Sequence, residues 1–326
     1  LFRVIKGMAP FYRLGGAVPP ESSSRRRPGS RHGARGLEGF SLPRLFDAVP
    51  SLPLTPTPLP MGEELRPRGI MGAMPSPTAL AAARIRHWVL SAFPRGHSGI
   101  DYDNPPGDPG LFGPDSVTWR VHSDFPGMLA GGLCALMLQT LHPLALAGVW
   151  DHSNFRTDLV GRLRRTTNFV AGTTYASRPE AQKLIDRVAG IHGQVRGSMP
   201  DGRTYRADDP ALLTWVHVTE SYGFLEGFRR YSPLTLPDGA ADAYYGEVRR
   251  VAEALGAREV PGSEAEVAAF FARVQGELRL DERSREVLRV LARIRLPVPM
   301  AGLSRDLFLG AGTALLPDWA VRTLEL

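Results

Sequence analysis

From Ser76 onward the apolar residues recur at three- and four-residue spacing almost without interruption, the pattern of helices that each bury one face. Leu80, Ile85, Trp88 and Val89 predict an amphipathic helix over 78–93. The Gly-, Pro- and Asp-rich stretch from Gly96 to Asp115 reads as a long loop. Phe125 to Trp150 is the most apolar part of the chain. Gln139, Thr140, His142 and Pro143 interrupt it after about 14 apolar residues, short of the roughly 20 that a membrane span requires. The pattern therefore predicts a buried helix that breaks at His142-Pro143.

A helix is expected from Thr157 to about Tyr175, with Arg162, Arg165, Thr166 and Phe169 at i, i+3, i+4 and i+7 and so on one face. Ser177-Arg-Pro-Glu180 reads as a capping box with proline in the first turn. The helix it opens puts Ala181, Leu184, Ile185, Val188, His192 and Val195 on one stripe, with Gly197 as its stop. Pro200-Asp-Gly-Arg203 predicts a tight turn, and a small hairpin is expected near 198–206. Asp209-Pro210 caps a helix through Leu213, Val216, His217, Glu220, Phe224 and Phe228. Ser263-Glu-Ala-Glu266 is a second capping box, opening a helix to about Leu278, and Asp281 to Ile294 gives one more. The fold class that follows is all-α.

Charge divides the chain in two. The first 70 residues hold eleven basic and five acidic groups, which is the whole formal net charge of +6; the remainder is neutral. A neutral body has no general electrostatic grip on phosphate, so a nucleic-acid partner is not expected. The same 70 residues hold 11 of the 29 prolines, in runs such as Ser51 to Pro60, and cannot bury enough apolar area to offset their chain entropy. Residues 1–75 are therefore expected to be a disordered extension, with one all-α domain over 76–326 and a functional start near Met71 or Met74. Arg25-Arg26-Arg27 resembles a twin-arginine export signal, but no apolar stretch of signal length follows it.

There is no phosphate-binding loop, no HExxH, no GxSxG and no CxxCH; Gly310-Ala-Gly312 follows no strand. The single cysteine, Cys134, excludes a disulfide scaffold and a thiolate-held cluster, and its apolar helix makes it a core residue rather than a haem thiolate. Of eight histidines, His32 lies in the extension, and His87, His97, His122 and His152 fall at polar or loop positions. His142, His192 and His217 lie within apolar helices, where each ring must satisfy both nitrogens or bind something. His192 stands out because its stripe is otherwise aliphatic; an imidazole on an aliphatic wall suits a haem iron. Arg162 beside Leu163 and Phe169 suits anchoring a carboxylate, and Thr166 offers a hydroxyl one turn on. His217 and Glu220, at i and i+3, are the alternative, a non-haem iron pair, although di-iron bundles use Glu-x-x-His in the opposite order and on two helices.

Five segments, read in order, carry a resemblance: Gly131 to Pro143, Asp151 to Phe155, Gly161 to Thr166, Ile191 to Gly197 and Trp215 to His217. Together they resemble the domain shared by rubber oxygenases (latex-clearing proteins) and the prenyl-cleaving oxygenase of mycophenolic acid synthesis, over roughly residues 76–315. The resemblance implies a globin-like helical core with additional helices, holding one non-covalent haem b. It also implies oxidative cleavage of a carbon–carbon double bond with O2. It makes His192 the proximal iron ligand and places Arg162 and Thr166 near the haem. Arg165, a third catalytic candidate, stands where rubber oxygenases carry a lysine; arginine does not deprotonate and so does not ligate iron. His142 fits the family's Gln-x-x-His-Pro pattern, as a haem-edge contact or as core packing. The expectation is a cytoplasmic oxidoreductase acting on a small apolar or isoprenoid substrate, with no membrane span and no obligate protein partner. A helical haem or lipid carrier is the non-catalytic alternative.

Overall fold

The computed structural model describes residues 99–294 and 301–326; the expected extension and the helix over 78–93 lie outside them. The helical periods fold as predicted. Among the described residues eleven α-helices follow one another: α1 (Val117–Ser123), α2 (Phe125–Gln139), α3 (Pro143–His152), α4 (Leu159–Tyr175), α5 (Arg178–His192), α6 (Pro210–Tyr231), α7 (Ala240–Ala254), α8 (Glu264–Val274), α9 (Glu282–Ala292), α10 (Ala301–Thr313) and α11 (Asp318–Thr323). Among the described residues the only sheet is a hairpin between α5 and α6, β1 (Arg196–Ser198) and β2 (Thr204–Arg206), antiparallel with Gly197 opposite Tyr205.

The chain breaks where its caps say it should. Asp124 ends α1, and its carboxylate accepts from the Gly127 amide to start α2. The apolar run stops at Thr140, and α3 restarts at Pro143 with His142 as its N-cap. Asp209 accepts from Ala211 and Leu212 at the head of α6. No single helix among the described residues is long and apolar enough to cross a membrane. The α1–α2 pair passes such a test only together, and it bends by 90°.

Two expectations are corrected. The Ser177 hydroxyl occupies the N-cap position of α5 but makes no capping bond. A charged acceptor from far along the chain replaces it: the Asp108 carboxylate takes the Arg178 and Gly110 amides at 3.0 and 2.8 Å. Gly110 holds a left-handed φ of 70°, and a Cβ there would meet the Ala176 carbonyl oxygen at 2.7 Å. The second correction is that α5 ends at His192, not at Gly197, because strand pairing takes over from Arg196. Gly197 lies against the Tyr205 ring, where a Cβ would come within 2.7 Å of the ring's Cζ.

The core forms around α2 and α6, which pack along most of their length. They run antiparallel with glycines at the crossing. A Cβ on Gly127 would lie 2.8 Å from the Gly227 carbonyl carbon, and one on Gly131 would lie 2.8 Å from the Phe224 nitrogen. The two backbones therefore touch with no side chain between them, as small residues four apart permit. Gly312 brings α10 against Leu133 and Cys134 in the same way. Cys134 is fully buried and burial pushes its thiol up, so it stays a protonated core residue.

Candidate functional site

Helix α6 passes through the middle of the protein, and one of its faces carries polar groups. Leu213, His217, Glu220 and Phe224 follow one another at i, i+4, i+7 and i+11 and share that face. Their flanking residues Trp215, Val218, Thr219 and Ser221 are fully buried, whereas His217 and Glu220 keep surface that water can touch. Burial nevertheless dominates the ionisation of both. It raises the Glu220 carboxyl to about 7 and holds the His217 imidazole down to about 4, so that histidine is neutral at physiological pH. The two side chains thus lie half-buried on an inner, poorly solvated face of α6.

Three neighbouring helices face it. From α2, the Gln139 amide donates to Thr219 Oγ1 at 3.1 Å, and its dipole favours the Glu220 carboxylate. From α4, the Arg162 guanidinium acts on Glu220 through space, while its Nη1 donates to Ser153 Oγ at 2.9 Å. Burial lowers the Arg162 pKa, but a guanidinium remains charged. The mutual attraction favours the carboxylate; desolvation outweighs it, and Glu220 sits well above the ordinary glutamate range.

From α1 comes His122, which the sequence reading placed among polar positions. That placement is corrected. His122 lies inside the fold, its Nδ1 2.8 Å from Thr174 Oγ1 and its Nε2 3.1 Å from the Tyr244 hydroxyl of α7. The Thr174 hydroxyl has one proton, and it goes to the Val170 carbonyl at 2.7 Å. Thr174 must then accept from Nδ1–H, which leaves Nε2 to accept from Tyr244. His122 is thereby fixed as the Nδ1–H tautomer and pushed down to about 3 by burial and by His217 nearby. No local signal marks this residue, because α1 is only 7 residues long and too short to display a period.

His192 is the last residue of α5. Its Nδ1 is buried and has no hydrogen-bond partner. Burial lowers its pKa, with Asp208 opposing the shift. The stripe expected along α5 is present as far as its end: Ala181 and Ile185 are fully buried, and Leu184, Val188 and His192 half-buried; Val195 lies beyond the helix. Helices α4 and α5 meet tightly at one end, where a Cβ on Gly172 would collide with the Leu184 side chain. Toward the other end the packing opens. No residue from Leu159 to Ala171, nor from Asp186 to His192, is fully buried.

The structure divides the four residues expected on one α4 face. Arg162 and Phe169 are half-buried, while Arg165 and Thr166 are exposed. Arg165 reaches outward to Asp158 at 3.5 Å and Asn154 at 3.3 Å, and the Thr166 hydroxyl donates back to the Arg162 carbonyl at 3.4 Å. His142 is buried as a cap: its Nδ1 accepts from the Ala145 amide at 3.4 Å, its Nε2 lies 3.7 Å from Glu277, and its ring leans on Trp215. Both ring nitrogens are therefore engaged, and the residue serves helix capping and packing. The non-haem alternative finds no support: among the described residues no group of three or more His, Cys, Asp or Glu is arranged to hold a metal ion.

A family model described as "ER-bound oxygenase mpaB/B'/Rubber oxygenase, catalytic domain" matches residues 119–326, from within α1 to the last residue. The chain belongs to this oxygenase family. Every side chain described above, from His122 to Tyr244, falls within the part that matches the mpaB/rubber oxygenase domain. The chain is also similar to uncharacterized protein Mb2261 of Mycobacterium bovis and uncharacterized protein Rv2237 of Mycobacterium tuberculosis. It is 28% identical to each over 175 residues, covering 51% of this chain and 66% of each relative. The match thus spans just under two thirds of the length of these relatives. No solved structure matches the chain.

Proposed function

We propose that this member of the oxygenase family is a haem-b enzyme that uses O2 on a small apolar substrate, with an isoprenoid chain as the favoured class. The observation that carries the reading is the buried, unpartnered Nδ1 of His192 at the end of an aliphatic wall. A buried imidazole nitrogen without a partner costs about 1–3 kcal/mol, a penalty that a bound partner removes. The half-buried run of α4 beside it has the same sense, since its inward side chains lack the close packing of the α2–α6 core. When bound, haem would supply O2 activation.

His192 would hold the iron, and Arg162 would hold a carboxylate of the group. The apolar side chains around them would exclude water, and burial keeps His217 neutral. Arg165 and Thr166, expected as catalytic residues with Arg162, are exposed in this structure and are given no part in the reacting set. His142 is likewise left as a cap. A carrier of an apolar ligand could use the same wall, but a carboxyl that titrates near neutrality serves proton transfer rather than apolar storage, which favours an enzyme.

The test supplies haemin to the purified protein and follows O2 uptake with isoprenoid alkenes of graded length, identifying products by mass spectrometry. Uptake that depends on substrate, with cleaved carbonyl products, supports the reading. Stable haem retention without turnover of any alkene would favour the carrier.

A further inference from the structure

We propose that Tyr205 is a positioning residue for His192: its hydroxyl, clasped by Asp151 and His152, pins the β1–β2 hairpin onto α3 and through it holds the chain that leaves the His192 imidazole. The inference rests on the reading of His192 as the residue that takes the cofactor, and it adds what keeps that ring in place.

The contacts form a continuous path. His192 ends α5, and its carbonyl accepts from the Val195 amide at 3.1 Å. The Val195 carbonyl accepts in turn from the Ala207 amide at 2.9 Å, immediately past β2. With both bonds made, the short link between His192 and the start of β1 at Arg196 has little slack. Helix α5 does not fix the ring by itself. No residue from Asp186 to His192 is fully buried, and the Ile191 side chain is 53% exposed.

The hairpin has two strands of three residues, and an isolated hairpin of that size is not stable in water. It needs an anchor. Arg196, Ser198, Thr204 and Arg206 are exposed, whereas Tyr205 is fully buried. Within the hairpin the Tyr205 ring lies against Gly197, its partner in the ladder. On the α3 side, a Cβ on Gly148 would lie 3.9 Å from the ring and 3.7 Å from the Val195 side chain, so both rest on the helix where it carries no side chain of its own. At the tip of the ring the hydroxyl donates to Asp151 Oδ2 at 2.6 Å. That uses its one proton, so His152 Nε2, at 3.2 Å, donates to the same oxygen. A bond from a buried phenol to a carboxylate is stronger than one between neutral groups.

The experiment compares Tyr205→Phe, Asp151→Ala and Asp151→Asn in the full chain. Phenylalanine keeps the ring and removes the hydroxyl; asparagine keeps an oxygen that accepts from it. In haem-free protein, carbon-13 NMR of the His192 ring reports its position, and hydrogen exchange of the Val195 and Ala207 amides reports hairpin docking. Tyr205→Phe and Asp151→Ala should shift and broaden the His192 ring signals and speed exchange at both amides about tenfold, the loss expected for one hydrogen bond to a charged group. Exchange in the α2–α6 core should be unchanged, and Asp151→Asn should behave as wild type in both readouts. In a second arm, haemin is supplied and its transfer to excess apomyoglobin is followed. Transfer should be about tenfold faster from Tyr205→Phe and Asp151→Ala than from wild type or Asp151→Asn.

His192 ring signals that stay in place in Tyr205→Phe and Asp151→Ala overturn the proposal, whether or not the hairpin exchanges faster, because α5 alone would then hold the ring. Haemin release that none of the variants alters also overturns it. If the wild type retains no haemin while the ring signals move as described, the haem reading falls and the positioning of His192 by Tyr205 is upheld.

Discussion

Two helix pairs in this protein solve opposite problems. In α2–α6 the backbones touch at Gly127–Gly227 and Gly131–Gly223, and nearly every inward side chain is fully buried. In α4–α5 contact is tight only where Gly172 meets Leu184, and the run from Leu159 to Ala171 contains no fully buried residue. The first pair is close-packed in the manner of ordinary protein interiors. The second presents an aliphatic stripe, an imidazole nitrogen without a hydrogen-bond partner and a half-buried cation, all less closely packed. A protein that only needed to be stable would pack both pairs alike. The contrast sets a close-packed α2–α6 pair against a looser α4–α5 pair, the one on which the proposed haem site rests.

The comparison is broken most severely at the glycine crossing. Gly131→Val should cost about 3 kcal/mol or more, or prevent folding, because the inserted methyls meet backbone that cannot shift. Thermal unfolding measures it. Leu163→Ala on the open stretch of α4 should cost well under half as much in the haem-free protein.

Next in size is a pH effect. Glu220 has a folded pKa of about 7 against an ordinary 4.5, so between these values the native state holds a proton that the unfolded state has lost. Stability therefore falls as pH rises through that window and levels off above it, by about 2 kcal/mol for a partly solvated group. Glu220→Gln should remove that fall. His122 and His217 act in the opposite sense. Each is neutral when folded down to about 3 and about 4, against an ordinary 6.5, so each adds stability above 6.5 that is lost as pH falls. Denaturant unfolding between about pH 4 and about pH 8 separates the two slopes.

His142→Ala should cost about 1–2 kcal/mol through the lost cap on α3 and the gap beside Trp215, with haemin retention unchanged. Loss of haem in this variant would return His142 to the cofactor site. The smallest effect is expected for Arg165→Ala, whose ion pair with Asp158 is solvent-exposed on both sides: under about 0.5 kcal/mol in thermal unfolding.

Helix positions and most caps were legible along the chain because their causes are local. The break at His142-Pro143, the turn at Gly202 and the cap at Asp209 each follow from residues within a few positions of one another. The capping of α5 was not legible, because Asp108 reaches it from 70 residues away. The site was legible in part. His192 stood out by its aliphatic stripe. Arg162 and Glu220 were each noticed, but the electrostatic influence of one on the other depends on how α4 and α6 pack, which no spacing records. Arg165 and Thr166 share a period with Arg162 yet lie exposed, because the open end of α4 leaves that part of the face without neighbours. His122 gave no signal, since its importance lies wholly in partners on α4 and α7.

The central claim is that the His192 imidazole takes a haem iron, and optical spectroscopy of haemin-supplied protein after gel filtration tests it most directly. The wild type should show a Soret band that shifts when CO is added to the reduced protein, His217→Ala the same band, and His192→Ala none. A wild type that emerges without haem, or a His192→Ala variant that keeps it with an unchanged spectrum, would contradict the account.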